Sequence, residues 1–357
     1  VILLNPGPVT LSQRVRNALL KPDLCHREIE FFQLQNNIRE KLLNIYDLNP
    51  NKYASILLTG SGTSAMEAML SSLIPNQGKL LVIENGVYGE RLSKIAQIYG
   101  LNYLPFHLQW GEKIDLHCLE LCFKKHQDLT HLAIVHHETT TGRLNDLKAI
   151  SDLCKPYNIQ LLIDGVSSFG AEDLDFENWG IIACAATANK CLHSIPGTAF
   201  VIVEREALKV NLTPRTLYLD LKTYCEKQDQ GETPFTQSVQ SFYALETALL
   251  ELEEMGGYLA RKNQYQMLMN YVRNELIKLG IKPLLSEGES SIVLNSFYLP
   301  KNVTYDQLHD HLKTNGFIIY AGQGELAKSI FRISIMGDIS LKDLENLVDL
   351  FKEILIN

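Results

Sequence analysis

Over the first two thirds of the chain, short aliphatic runs alternate with longer stretches in which apolar residues recur every three or four positions. Residues 55–59 read as a strand and 63–73 as a helix closed by Pro75 and Gly78. The pattern then predicts a strand at 79–83, a helix at 90–99 ended by Gly100, a strand at 131–135, a helix at 147–157, and a strand at 160–164 that finishes on Asp164. Two further strands are expected at 181–185 and 198–203. Continuous apolar strands separated by helices predict an α/β fold with a mostly parallel central sheet covered by helices on both faces. Ligands of such sheets sit beyond the carboxyl ends of the strands, so the residues that follow each run carry the functional interest.

The pattern changes after about residue 204. Residues 214–231 are polar and read as irregular, and helices are predicted at 239–255 and 258–279. Strands at 291–294, 317–320 and 330–334 then interleave with helices at 305–315 and 341–356, which suggests a second, smaller α/β unit. For 357 residues two units are expected, a large one at 15–245 and a small one built from 1–14 plus 246–357.

Composition narrows the choice of partners. The chain is 46% hydrophobic and 21% charged, and its formal net charge of -8 is spread without a Lys/Arg-rich run. Neither a nucleic acid nor a membrane surface is therefore expected as a partner. No apolar run approaches the roughly 20 residues that span a bilayer. No basic segment precedes the apolar Val1-Ile2-Leu3-Leu4, so no secretory signal is expected. The 7 cysteines are odd in number and suit neither a disulfide scaffold nor a paired-Cys zinc site, which points to a reducing, cytoplasmic setting.

Three strand ends carry candidate chemistry. Thr59-Gly60-Ser61-Gly62-Thr63-Ser64 follows a strand and opens a helix. Its glycines let backbone approach an anion, and the free N–H groups of the first turn point at it, with hydroxyls of Ser61, Thr63 and Ser64 as further donors. The same stretch could equally be a plain helix cap. Asp164 ends a buried strand, where a carboxylate is costly to desolvate unless a cation meets it; a turn-forming role is the alternative. A protonated pyridine nitrogen is one such cation. Lys190, in Ala188-Asn189-Lys190-Cys191, follows another buried strand. Desolvation of a lysine there favours the neutral amine, the form that acts as a Schiff-base nucleophile and proton shuttle. Adjacent His136 and His137 point to opposite faces of an extended segment, so no metal site is expected.

These elements, in this order, resemble the class V, fold-type I aminotransferases that use pyridoxal 5′-phosphate, and the aminophosphonate branch of that family in particular. The matching stretches are Leu4-Asn5-Pro6-Gly7-Pro8-Val9-Thr10, Gly60-Ser61-Gly62-Thr63, Asn85-Gly86-Val87-Tyr88-Gly89, His136-His137-Glu138-Thr139-Thr140-Thr141-Gly142, Asp164-Gly165-Val166-Ser167-Ser168-Phe169-Gly170, Ala188-Asn189-Lys190 and Phe331-Arg332-Ile333. The resemblance implies that Lys190 holds the cofactor as a Schiff base and that Asp164 pairs with its ring nitrogen. It places Ser61, Gly62, Thr63 and Asn189 around the phosphate, Tyr88 on the ring, Thr140 near the ring hydroxyl and Val166 beside the ring. Thr236 would reach the phosphate of a second subunit, so a homodimer with shared active sites is implied. Arg332 would hold the anionic end of the substrate, with Pro6 and Gly7 alongside; a planar fork suits bidentate binding of an anion.

The implied reaction joins a small-molecule amine donor to a keto acid acceptor: 2-aminoethylphosphonate and pyruvate interconverting with phosphonoacetaldehyde and L-alanine, in either direction. An alanine–glyoxylate or serine–pyruvate type aminotransferase is the alternative. The chain departs from the branch where Tyr320 is followed by Ala321-Gly322-Gln323 instead of Pro-Gly-Lys, and where Thr236-Gln237-Ser238 replaces Thr-x-Pro. Ser334-Ile335-Met336-Gly337 also stands where Asn-Ile-Gly is usual after the substrate arginine. Arg27 could reach a partner's site or pair with Glu28 or Glu30.

Overall fold

The computed structural model describes residues 1–209 and 213–356. Its strands are β1 (Ile2–Leu3), β2 (Tyr53–Gly60), β3 (Leu80–Glu84), β4 (Tyr103–His107), β5 (His131–Val135), β6 (His137–Glu138), β7 (Arg143–Leu144), β8 (Gln160–Asp164), β9 (Ile181–Thr187), β10 (Gly197–Glu204), β11 (Leu294–Tyr298), β12 (Phe317–Ile318), β13 (Tyr320–Ala321) and β14 (Ile330–Ser334). The helices are α1 (Gln13–Ala18), α2 (Ile29–Asn44), α3 (Gly62–Leu73), α4 (Val87–Ile98), α5 (Leu116–Lys125), α6 (Leu147–Cys154), α7 (Leu221–Asp229), α8 (Val239–Glu254), α9 (Gly257–Lys278), α10 (Tyr305–Thr314) and α11 (Leu341–Ile356).

Seven strands form the central sheet in the order β2-β10-β9-β8-β5-β3-β4. Only β10 runs antiparallel to its neighbours. Successive side chains of a strand point to opposite faces, and this divides the core in two. Leu132, Ile134, Leu161 and Ile163 pack with Phe31 and Ile38 of α2 and Phe242 and Leu249 of α8. Their neighbours Ala133, Val135 and Leu162 pack with Met66 and Met69 of α3, Leu92 and Ile95 of α4 and Tyr224 of α7. Because β2, β3, β5, β8 and β9 run the same way, their carboxyl ends share one edge of the sheet.

A second antiparallel sheet, β11-β14-β13, packs with α9, α10 and α11 around Phe297, Phe331 and Phe351. The N-terminal residues Leu4 and Val9 join this cluster, and β1 pairs in parallel with β12. Leu245, Leu249 and Leu252 of α8 belong instead to the core beneath the central sheet. A boundary at 245 would cut that helix, so we propose that the smaller unit begins at Gly256-Gly257, where the backbone turns through positive φ.

Four predicted segments differ. Residues 214–231 are not all irregular: Asp220 caps α7 by accepting from Thr223 N, and Leu221, Tyr224, Cys225 and Gln228 form its buried stripe. The strand expected at 291–294 begins at Leu294, because Ser291 Oγ and Ile292 N both donate to the Glu172 carboxylate. The run 317–320 splits between two sheets at the buried Ile319. The helix expected to reach 157 ends at Cys154, and residues 155–157 tighten into a 3-10 turn at Pro156.

Tyr46, just past α2, ties this frame to the loop after β8: its hydroxyl donates to the Glu172 carbonyl (2.8 Å) and accepts from Gly170 N (2.9 Å). Tyr46→Phe leaves both buried groups unpaired and should cost about 1–3 kcal/mol in a urea unfolding titration.

Candidate active site

The edge that gathers the strand ends also gathers the predicted side chains. Asp164 ends β8 and is 2% exposed. Its Oδ1 accepts from Val166 N at 2.9 Å, and no ion pair engages it among the described residues. Burial pushes its carboxyl up to about 6, against the weaker opposing pull of that N–H group, Lys190 and Arg91.

Lys190 lies just beyond β9, which runs two residues further than expected, to Thr187. Thr187 Oγ1 donates to Asn189 Oδ1 (2.8 Å), so the Asn189 side chain is turned onto the strand end. Lys190 is 8% exposed; its Nζ donates to Ser167 Oγ at 2.8 Å and stands 5.6 Å from the centre of the Tyr88 ring. Gly7, at φ +108°, crosses the lysine stem so closely that a Cβ there would lie 3.4 Å from Lys190 Cγ and Cε and 3.3 Å from the Asn189 carbonyl. Glycine is needed for both the conformation and the approach. Gly7 therefore lies against the lysine stem.

Ser61 is the N-cap residue of α3, yet its side chain caps nothing, which leaves its hydroxyl and the N–H groups of Gly62 and Thr63 available, whereas Ser64 N donates to the Ser61 carbonyl (2.9 Å). The Ser64 hydroxyl is not available in this way, because it donates to the Ser61 carbonyl (2.7 Å). A Cβ on Gly62 would stand 2.9 Å from both Val166 methyl carbons. That close approach brings the start of α3 against the loop after Asp164.

Tyr88 and Thr140 are held by one carboxylate. The fully buried Glu138 accepts from Tyr88 N and Gly89 N (both 3.1 Å), Thr140 N (3.1 Å) and Thr140 Oγ1 (2.6 Å). Thr140 Oγ1 in turn accepts from Val87 N (3.1 Å), so this hydroxyl is already committed on two sides. His136 Nδ1 meets Ser168 Oγ and His137 Nδ1 meets the Ser167 carbonyl, each at 3.0 Å. Burial lowers both imidazoles to about 3, so both are neutral. Among the described residues no group of three or more His, Cys, Asp or Glu side chains is arranged to hold a metal.

Arg332 is 2% exposed on β14 and forms no ion pair among the described residues. Nε donates to the Ala321 carbonyl (2.9 Å) and Nη1 to the Thr139 carbonyl (2.8 Å), which fixes the plane of the guanidinium. Nη2 keeps both protons free of protein acceptors among the described residues. The fork is thus partly used by backbone. Thr236 is exposed and bonds to nothing in its own cradle, although its neighbours Gln237 and Ser238 both bond Thr59 Oγ1 (2.8 and 3.0 Å). Arg27 is exposed and pairs with neither Glu28 nor Glu30.

Sequence reasoning assigned no role to Ser167, Glu138 or Arg91. Arg91 sits three residues after Tyr88 on the same face of α4. Its guanidinium carbon is 4.7 Å from the Tyr88 ring centre and its Nη1 donates to Thr63 Oγ1 (3.4 Å). That spacing was a readable signal; the other two depend on how loops fold.

A sequence model of the Aminotransferase class-V family matches residues 14–347. A bifunctional phosphonoacetaldehyde hydrolase/aminoethylphosphonate transaminase of Clostridioides difficile (strain 630) is 35% identical over 357 residues, spanning 99% of this chain but only 56% of that longer protein. A 2-aminoethylphosphonate–pyruvate transaminase of Bacillus thuringiensis (strain Al Hakam) is 36% identical over 352 residues, 98% of this chain and 96% of that one. Among solved structures, a subgroup IV aspartate aminotransferase from Thermus thermophilus superposes with a TM-score of 0.91 at 28% identity, over 99% of both chains. An alanine–glyoxylate aminotransferase from Nostoc sp. superposes with a TM-score of 0.92 at 25% identity, over 99% of this chain and 95% of that one.

The raised carboxyl of Asp164 has a measurable sign. Its folded value, about 6, exceeds the unfolded one, so the ionised carboxylate costs stability above that pH and the cost vanishes below about pH 4. Asp164→Asn should therefore stabilise the ligand-free protein at pH 8 by on the order of 3 kcal/mol. Urea unfolding at pH 8 and pH 4 checks this; the two proteins should converge at the lower pH.

Proposed function

The chain belongs to the class-V aminotransferase family, and on that premise we propose that it binds pyridoxal 5′-phosphate at this edge and transfers the amino group of 2-aminoethylphosphonate to pyruvate, or the reverse. The observation that carries the reading is a buried carboxylate, Asp164, with no ion-pair partner among the described residues and within electrostatic reach of the buried Lys190 amine, which itself stands over the half-buried Tyr88 ring. The donor set fits the cofactor. Asp164 lacks a cation that a protonated ring nitrogen would supply. Gly62 lets the start of α3 close against Val166, and Ser61, Thr63 and the open N–H groups of the first turn suit a phosphate. Tyr88 would cover the ring, with Val166, Thr140 and Asn189 around its rim, and Lys190 would hold the cofactor covalently through Nζ.

When bound, pyridoxal phosphate supplies an electron sink for the pair released from a substrate C–H bond. The chain's own residues do the rest. Asp164 would accept from the ring nitrogen and favour its protonated form. Lys190 Nζ would take the proton from the substrate carbon and later give it back, so no net proton would be consumed. Arg332, its plane fixed by two backbone carbonyls, offers the Nη2 protons to the anionic end of the substrate. Glu138 holds Tyr88 and Thr140 in register by accepting from Tyr88 N, Thr140 N and Thr140 Oγ1.

A homodimer with shared sites is supported by Thr236, which is exposed beside the cradle's strand, and by its neighbours in space. Leu217 is 82% exposed, and Tyr218, also exposed, donates from its hydroxyl to the Thr59 carbonyl. Such an apolar pair at the rim of a site suits a partner subunit. No helix among the described residues is long and apolar enough to cross a membrane.

Lys190→Ala should abolish the visible absorbance of the cofactor-loaded protein and nearly all turnover; an unchanged spectrum rejects the assignment. Arg332→Lys should raise KM for the anionic amine by roughly 10-fold or more with a smaller change in kcat, since a point charge cannot replace the guanidinium. A donor panel with pyruvate and glyoxylate should rank 2-aminoethylphosphonate above alanine and serine. The opposite ranking replaces the aminophosphonate reading with the alanine–glyoxylate type.

A further inference from the structure

Among the described residues the amine of Lys190 has one hydrogen-bond partner, and that partner is a hydroxyl. Nζ donates to Ser167 Oγ at 2.8 Å, and both residues are buried. Ser167 is itself held in place. Its carbonyl accepts from His137 Nδ1 (3.0 Å) and Cys191 Sγ (3.5 Å), and the turn around it closes with Ser168 N and Phe169 N donating to the Gly165 carbonyl (3.0 and 2.9 Å). A carbonyl can only accept, so the proton of neutral His137 sits on Nδ1. Gly7 closes the side of the lysine stem. The amine is thus guided to one place, and what stands there can both give and take a hydrogen bond.

We propose that Ser167 is a positioning residue that holds the reacting amine of Lys190 whenever it is not bonded to the cofactor, in both of its protonation states. The inference rests on the reading of Lys190 as the cofactor lysine. When Nζ has taken the proton from the substrate carbon, it is an ammonium and Ser167 Oγ accepts from it. When that proton has been returned, Nζ is a neutral amine and the rotated hydroxyl donates to its lone pair. Ser167 neither gains nor loses a proton in the exchange. A backbone carbonyl or carboxylate at this point could only accept, and would favour the ammonium. The Tyr88 ring, 5.6 Å away, likewise attracts only the charged form.

Three variants separate this from a packing role: Ser167→Ala removes the hydroxyl, Ser167→Cys keeps the shape with a weak hydrogen-bonding group, and Ser167→Thr keeps the hydroxyl. Two readouts apply. The first is the rate at which the cofactor-free protein develops visible absorbance when mixed with pyridoxal phosphate, which reports placement of the amine without turnover. The second is the half-reaction with substrate deuterated at the reacting carbon. Ser167→Ala and Ser167→Cys should slow both by roughly 10- to 100-fold, with KM nearly unchanged, unfolding midpoints retained and a larger isotope effect. Ser167→Thr should recover most of the rate. Wild-type rates and isotope effect in Ser167→Ala or Ser167→Cys overturn the proposal, as does a loss in all three that follows their unfolding midpoints. If the unmodified protein develops no absorbance, the cofactor reading fails instead, so the two failures are distinct.

Discussion

Asp164 sits dry at the carboxyl end of β8 with one backbone N–H donor and no ion-pair partner, and the neighbouring structure is arranged around that unpaid desolvation. A buried carboxylate normally either finds a cation or takes up a proton. Here burial has already moved the group toward protonation, to about 6. Any ligand that brings a fixed positive N–H to this point recovers part of the cost as binding free energy. The sheet supplies the geometry for nothing more than its own packing reasons: parallel strands buried on both faces must end together, so the acid after β8 and the lysine after β9 are neighbours by topology.

Around that pair, several contacts that join the two structural units end near the site. Arg332 of β14 donates to the Thr139 carbonyl, beside the segment that Glu138 fixes. Glu172, pushed up to about 7 by burial, accepts from Ser291 and Ile292 just before β11. His193, three residues after Lys190, uses Nε2 to contact the Tyr265 hydroxyl of α9 and to accept from Gly337 N. Gly7, from the N-terminal segment that packs with the smaller core, lies against the lysine itself. A shift between the units would therefore be felt at Lys190 and Arg332 together.

Much of the fold was legible because apolar runs of four or five residues flanked by glycine or proline have few other meanings in an α/β chain. β5, β8 and β14 fall on the expected residues. What was not legible was set by tertiary hydrogen bonds. The aliphatic run 292–294 reads as a strand, but Glu172, more than a hundred residues away, takes the N–H of Ile292 before the ladder begins. α7 was hidden by its Lys, Thr, Glu and Gln residues, although its buried positions 221, 224, 225 and 228 keep helical spacing. Asp164 and Lys190 could be picked out because each ends a strand-like run. Ser167 and Glu138 could not, because their importance lies in which hydroxyl, amide or amine they meet after two loops fold together.

The electrostatics of the substrate end follow from local pairing rather than net charge. A formal charge of -8 opposes an incoming phosphonate or carboxylate at long range, yet that field is screened beyond a Debye length of about 8 Å at physiological ionic strength. Inside the cavity the balance is different. The described acids close to the site are either raised by burial, as Asp164 and Glu138 are, or engaged by hydrogen bonds. Arg332 and Arg91 are cations without ion-pair partners among the described residues. Arg332 keeps its Nη2 protons, and Arg91 rests on the Tyr88 ring beside Thr63. Both guanidinium groups stand near the Tyr88 ring, Arg91 on it and Arg332 within electrostatic reach of it. A site built this way favours a molecule that carries more than one anionic group.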